Sequence, residues 1–309
     1  MNRIFTLVTR TGELAITQTK IIAGMLKQNN PDAEFDIKTI KSKGDVDRKT
    51  MLWKVESTGF FTSILEDSLL KREAQIAVHS FKDLPTQMRP GLIVTAVCDR
   101  RYGEDCLIAT RKIKTINDLP ASATVGTSSL RRLVQIKRLR PDLKGESIRG
   151  NVPTRIRKVD EGQYDAVILA RAGIERLGLS NCISIVFEPA EFIPAPAQGA
   201  LAVQTRQDDK EICDIVSKID DEKARITSLA ERQILTTTQC GCHAPVGAFA
   251  QIKNNEIEIT AFIADQTGEQ FVSKRNSGPV GNYESIAENL ANDLLDTGGT
   301  EILEKLKNE

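Results

Sequence analysis

From Ile4 to Leu177, short apolar runs alternate with stretches of helical period, and that alternation constrains the fold more than any other feature. Residues 4–9, 35–40, 75–79, 92–97, 106–110, 123–125, 146–149 and 166–169 read as strands. Residues 13–28, 60–70, 152–161, 173–177 and the segment opened by Gly126-Thr127-Ser128-Ser129 read as helices, with Thr11 placed to cap the first. Such a pattern calls for parallel sheets flanked by helices, with ligand sites at the strand C-terminal ends. Residues 189–199, rich in Pro and Ala, read as a crossing linker, and 201–204 as one more strand. From about Asp220 the pattern changes to a helix over 223–235, strands over 248–252 and 256–264, and an amphipathic helix over 284–295. The expected architecture is two α/β domains, 1–99 with 200–217 and 105–193, followed by a small α+β domain over 220–309.

Length and composition fit that division. A chain of 309 residues with 40% hydrophobic content can build two or three cores. No apolar run is long enough to span a membrane, and the N-terminus enters a strand rather than a signal sequence. Six irregularly spaced cysteines do not form a disulfide framework. The expectation is a cytoplasmic protein, with nothing pointing to an obligate oligomer.

Charge is balanced overall, 42 basic against 42 acidic residues, but unevenly placed. Between Arg131 and Arg176 twelve Lys or Arg face six acids, a surplus suited to an anion. Gly126-Thr127-Ser128-Ser129-Leu130-Arg131-Arg132 puts backbone N–H groups, hydroxyls and two arginines at a helix start. Cations are disfavoured at that end of the dipole, so Arg131 and Arg132 call for a bound anion, whereas a plain N-cap explains only the serines. Ile148-Arg149-Gly150-Asn151-Val152-Pro153-Thr154-Arg155 repeats the arrangement. Separate arginines suit a ligand with several carboxylates or phosphates. Nucleic acid is the rival, but aromatics are 5% of the chain and none interleaves the basic stretch. Lys137, Arg138, Lys144 and Lys158 read equally well as solvated helix faces.

Two further segments carry chemistry. In His79-Ser80-Phe81-Lys82-Asp83-Leu84-Pro85, Ser80 and Asp83 have capping-pair spacing, yet Pro85 leaves little helix to cap. An acid on a turn after a buried strand can also offset a cation or handle its protons. In Gln239-Cys240-Gly241-Cys242-His243-Ala244-Pro245, two thiols and one of only two histidines share a tight loop. Metal ligand, nucleophile and attachment point for a prosthetic group are the three roles open to such thiols. Zinc needs about four ligands at other spacings, and adjacent side chains rarely form a dyad.

With these segments, the sequence closely resembles the hydroxymethylbilane synthase (porphobilinogen deaminase) family over nearly its whole length. The likeness runs through Thr9-Arg10, Lys43-Gly44-Asp45, 79–85, 125–132, 149–155, 169–178, Gln198-Gly199-Ala200, Ala230-Glu231-Arg232 and Gly241-Cys242. It implies two domains like type-II periplasmic binding proteins with an active-site cleft between them, plus the small third domain. It implies a transferase of heme and tetrapyrrole biosynthesis that joins four porphobilinogens head to tail on a covalent dipyrromethane primer and hydrolyses off the linear tetrapyrrole. Cys242 matches the thioether attachment residue and Asp83 the residue that steadies pyrrole nitrogens and the cation formed as ammonia leaves, with Lys82 beside it. Lys82, Thr127, Ser128, Ser129, Arg131, Arg132 and Arg155 match cofactor-holding positions. Arg10, Phe61, Arg149, Arg155, Arg176 and Gln198 match positions for porphobilinogen and the growing chain. No metal is implied, and the partners are porphobilinogen and the polypyrrole, with no nucleic acid or membrane and a monomer expected. Gly12, Thr58, Arg171, Pro196, Ala197 and Cys240 depart from the usual residues, and Arg171 stands as a displaced positive charge. The departures at Gly12 and Thr58 keep a second reading in play, a non-catalytic binder of anionic small molecules or pyrroles on the same scaffold.

Overall fold

The computed structural model describes residues 3–41, 62–239 and 244–308. Lys43-Gly44-Asp45, Thr58, Phe61, Cys240, Cys242 and His243 lie outside them. The described residues fall into two compact units, one of 3–41, 62–101 and 199–225, the other of 102–198, 226–239 and 244–308.

In chain order, the first unit begins with β1 (Arg3–Arg10), α1 (Glu13–Asn29), β2 (Ala33–Ile40), α2 (Ser63–Leu70), β3 (Ile76–Ser80) and β4 (Leu92–Cys98). The second takes up β5 (Asp105–Ala109), β6 (Thr124–Gly126), α3 (Leu130–Leu139), β7 (Lys144–Glu146), α4 (Val152–Asp160), β8 (Ala166–Ala170), α5 (Arg171–Arg176) and β9 (Ile185–Val186). The chain then returns to the first unit as β10 (Leu201–Arg206) and α6 (Lys210–Ser217), before α7 (Glu222–Thr238). Three strands, β11 (Val246–Lys253), β12 (Glu256–Ala264) and β13 (Phe271–Pro279), precede α8 (Tyr283–Leu294) and α9 (Thr300–Asn308).

The first unit holds a sheet ordered β2-β1-β3-β10-β4. Strand β1 runs parallel to β2 and β3, while β10 is antiparallel to β3 and β4. Side chains alternate across it with period two. Leu7, Ile76, Val78 and Val203 join Ile22 and Leu26 of α1 and Ile212 of α6 in one core, while Val8, Ala77 and Leu92 join Leu65 and Leu69 of α2 in the other. The N-cap of α1 is Gly12, with no side-chain cap, so Thr11 does not play the capping part its sequence position suggests.

The second unit repeats the plan. Its larger sheet is ordered β7-β6-β8-β5-β9, parallel except where β5 meets β8 and β9. Leu107, Val125 and Ile168 pack with Ile136 of α3, and Cys106, Val167 and Leu169 pack with Ile156 and Val159 of α4. The strand expected over 146–149 is instead β7, which begins two residues earlier and ends at Glu146, leaving Ile148 and Arg149 in the loop that follows it. The fold class is α/β, two sheets of matching strand order, with a smaller antiparallel sheet in the second unit.

That smaller sheet, β11-β12-β13, packs Ala248, Ala250, Ile257 and Ile259 against Ile286, Leu290 and Leu294 of α8. Asn254 and Asn255 (φ 51° and 62°) make the two-residue turn between β11 and β12, as tight hairpins require. Residues 189–199, expected as a crossing linker, end where the chain passes from the second unit to the first, and much of the segment is packed rather than exposed. Phe192, Ile193, Ala197 and Gln198 are buried, and the buried Glu231 carboxylate accepts the N–H groups of Ala197 and Ala250, each at 2.6 Å.

Candidate active site

In the first unit the end of β3 turns through a single 3₁₀ turn, Phe81–Asp83. Phe81 and Leu84 are sunk into the unit, and the Phe81 N–H donates to the Ala200 carbonyl at 3.0 Å. Anchored on both sides, the turn leaves Asp83 exposed and Lys82 half-buried. Ser80 occupies the N-cap position without capping; its hydroxyl exchanges hydrogen bonds with the Gln18 amide at 3.0 and 3.2 Å. The capping explanation of the Ser80–Asp83 spacing therefore falls away. A recess at the C-terminal ends of β1 and β3 gathers Thr9, Arg10, Gln18, His79, Ser80 and Asp83. Two sequence-predicted residues, Arg10 and Asp83, meet there, as strand-end geometry requires.

Behind the recess lies a buried polar chain that the sequence did not reveal. The Gln204 amide donates through Nε2 to Glu66 Oε1 at 3.1 Å and faces His79 Nε2 with its Oε1, also at 3.1 Å. A carboxylate can only accept, so Glu66 fixes the Gln204 amide and His79 carries its proton on Nε2. Burial pushes the His79 imidazolium down to about 4; the Gln204 bond opposes that shift and the Arg10 charge adds to it. His79 is thus neutral at physiological pH.

In the second unit, Thr127, Ser128 and Ser129 form the turn between β6 and α3. Ser129 stands at the N-cap with no side-chain capping bond, whereas the Ser128 hydroxyl donates to the Ile148 carbonyl. Asn151 does cap α4, accepting the Thr154 N–H at 2.9 Å. Gly150 adopts φ +119°, and a Cβ there would lie 2.6 Å from Thr154 Cγ2, so only glycine fits. Its carbonyl accepts Arg155 Nε at 2.8 Å.

The paired arginines find an anion inside the fold. Asp105, fully buried at the head of β5, accepts Arg131 Nη2 at 2.8 Å through Oδ2. Its Oδ1 accepts Arg132 Nε at 3.0 Å and Nη2 at 2.7 Å, and Gln198 Nε2 at 2.9 Å. Burial alone would raise the Asp105 pKa, but the Arg131 and Arg132 charges outweigh it and hold the carboxyl well below the usual carboxylate range. Arg131 also donates to the Ile193 carbonyl at 2.6 Å, and Arg132 to that of Ile168 at 3.1 Å. The pair at this helix start therefore has a partner within the fold as well, because Asp105 offsets one of the two charges. An acid at the head of an apolar strand, Asp105-Cys106-Leu107-Ile108, was the available signal.

Other members of the basic surplus are also committed. Arg140 pairs with Asp142 at 2.7 Å, and Arg138 lies 4.2 Å over the Phe271 ring. Arg171 pairs with Glu175 at 2.9 Å and Glu104 at 3.5 Å and lies 4.6 Å over the Tyr102 ring, so it is not a displaced charge awaiting a ligand. Arg176 ends α5, half-buried. Arg149 and Arg155 differ. Arg149 Nη2 is buried with no hydrogen-bond partner. Burial, with the charges of Arg132 and Arg149, lowers the Arg155 pKa to about 10. A buried orphan donor beside crowded cations is what a polycarboxylate ligand would satisfy. A dipyrromethane, bearing acetate and propionate groups, fits this donor set by charge and by hydrogen-bonding type.

Comparison with known proteins points the same way. Residues 5–214 match the family model described as porphobilinogen deaminase, dipyromethane cofactor binding domain, and residues 225–296 match porphobilinogen deaminase, C-terminal domain. A porphobilinogen deaminase of Campylobacter curvus is 38% identical over 305 residues, 98% of this chain and 97% of that protein. One from Maridesulfovibrio salexigens is 40% identical over 304 residues, 98% of each. Another, from Pelotomaculum thermopropionicum, is 38% identical over 309 residues, 100% of this chain and 99% of its own.

Proposed function

The chain belongs to the porphobilinogen deaminase family, and we propose how its residues share out that family's reaction. The protein is a transferase, hydroxymethylbilane synthase, which deaminates and joins four porphobilinogens on a dipyrromethane cofactor and releases the linear tetrapyrrole by hydrolysis. When bound, the dipyrromethane would supply the primer end from which the chain is extended.

Asp83, exposed on its anchored turn, accepts the pyrrole N–H of the incoming porphobilinogen and offsets the positive charge that develops as ammonia leaves. Lys82 and Arg10 take carboxylates in the first unit, where Arg10 shares the Asp83 recess. In the second unit Ser129, Arg131, Arg132 and Arg155 hold cofactor carboxylates, and Arg149, Arg176 and Gln198 serve the substrate and growing chain, while Thr127 and Ser128 shape the loop. Cys242 carries the cofactor through a thioether. Domains of 1–99 with 200–217, 105–193 and 220–309, a monomeric state and a cytoplasmic location complete the reading. The observation that carries it is the buried, partnerless Arg149 Nη2 next to Arg155, a donor cluster made for carboxylates.

Intact-mass measurement tests it. The wild-type protein and Cys240→Ser should carry the mass of one dipyrromethane, and Cys242→Ser should carry none. Loading that persists in Cys242→Ser and vanishes in Cys240→Ser would overturn the attachment site. A wild-type chain that stays unmodified with porphobilinogen would favour a non-catalytic binder.

A further inference from the structure

Asp105 lies outside every role assigned so far, yet three side chains converge on its carboxylate: Arg131, Arg132 and Gln198. Its backbone is fixed by pairing with Ala170 in the β5–β8 ladder. The two guanidiniums are fixed in turn by the Ile193 and Ile168 carbonyls. Two positive charges against one negative leave the trio at a net charge of +1. Each terminal guanidinium nitrogen carries a second N–H beyond the one engaged, so both arginines can still donate to a carboxylate. Asp105 thus removes net charge from the site without using up its donors.

We propose that Asp105 is a positioning residue that meters the anion site, holding Arg131 and Arg132 side by side while cancelling one of their two charges. This rests on the assignment of Arg131 and Arg132 to carboxylates of the cofactor. The physical need follows from the reaction. Each added porphobilinogen brings two more carboxylates into the field of this site, so uncancelled charge beside the retained cofactor would hold the chain harder with every addition and resist release of the product. A buried internal carboxylate weakens that grip by an amount that salt and solvent barely screen.

The test uses full-length protein in the Cys242→Ser background, so that no covalent group competes, with citrate as a polycarboxylate probe in calorimetric titrations at several salt concentrations. Asp105→Asn and the smaller Asp105→Ser should bind citrate about three- to tenfold more tightly, a gain that persists as salt is added. In the loaded enzyme, Asp105→Asn should lower KM and kcat together, because product leaves more slowly. Damage to a merely structural residue weakens binding and cannot tighten it. Unchanged or weaker citrate binding in both variants overturns the proposal, and so does loss of the fold in both, since the carboxylate would then be holding the domain together. Arg131→Met should abolish citrate binding in the same background. If it does not, the assignment of Arg131 to carboxylates fails and this proposal falls with it; weaker binding in the Asp105 variants, with citrate still lost in Arg131→Met, sinks the metering role alone.

Discussion

The Ser128 hydroxyl donates to the carbonyl of Ile148, tying the loop that opens α3 to the turn that carries Arg149. The neighbours reinforce the tie. Thr127 N–H donates to the Glu146 carbonyl at 2.8 Å, and the Tyr164 hydroxyl to that of Ser147 at 2.9 Å. Gly126 lets the strands close up, since a Cβ there would stand 3.1 Å from both Ile148 Cδ1 and Tyr164 Cδ1. The loop that leads into Arg131 and Arg132 and the segment that carries Arg149 are thereby held in one arrangement.

Ser128 is accordingly a tether before it is a ligand contact. Ser128→Ala leaves the buried Ile148 carbonyl short of a donor and should cost about 1 kcal/mol of stability. Cofactor loading by intact mass should remain complete, while KM for porphobilinogen rises more than kcat falls. Loss of loading with unchanged urea stability would instead make Ser128 a direct cofactor contact.

Gly150 is constrained twice, by φ +119° and by the nearness of Thr154. Gly150→Ala should destabilise the protein by about 1–3 kcal/mol and displace the carbonyl that holds Arg155 Nε. Both effects are measurable, as a lower urea midpoint and a raised KM. Trimming Thr154 to Ser in addition should recover only part of the loss, because the backbone strain remains.

Strand-helix alternation foretold both α/β sheets because apolar runs and helical stripes are local signals. The two-residue β9 had no expected place, the other α/β strands fell within a few residues of theirs, and 146–149 slipped because Ile148 is buried from the loop after β7 rather than from a strand. Strand β13 escaped notice, since Ser273, Lys274, Arg275, Asn276 and Ser277 carry little apolar alternation and the strand borrows its order from β12. At the site, Asp83 and the arginines were legible as residue types on strand-end turns. Their partners were not. Asp105 lies 26 residues from Arg131, and Gln204 lies 125 from His79, and no spacing rule links positions brought together only by a sheet.

His79 gives the stability a defined pH dependence. Its folded pKa of about 4 lies below the ordinary 6.5, so on acidification the unfolded chain takes up the proton first. The contribution is fully present above 6.5 and is lost as pH falls towards about 4, a span worth roughly 3 kcal/mol. His79→Gln should flatten this part of a urea-stability profile taken between pH 7 and 4.5. Parallel profiles for variant and wild type would show that His79 is not the titrating group.

Asp83→Asn keeps the shape of the turn, since Phe81 and Leu84 hold it, and removes only the charge. Turnover should fall about a thousandfold, with folding and the affinity of the arginine loops preserved. Near-normal product formation would remove Asp83 from the reaction.

Arg149 offers the sharpest contrast between binding and stability. A buried donor without a partner costs folding energy, so its removal should not weaken a protein that has no ligand. In the Cys242→Ser background, Arg149→Met should therefore leave the thermal midpoint unchanged or raise it. In the loaded enzyme the same change removes a charge-assisted bond to a carboxylate, worth about 1.5–3 kcal/mol, and should raise KM for porphobilinogen roughly ten- to a hundredfold. A lowered midpoint without any change in KM would make Arg149 a structural residue, and the carboxylates would then have to be held by Arg155 and its other neighbours.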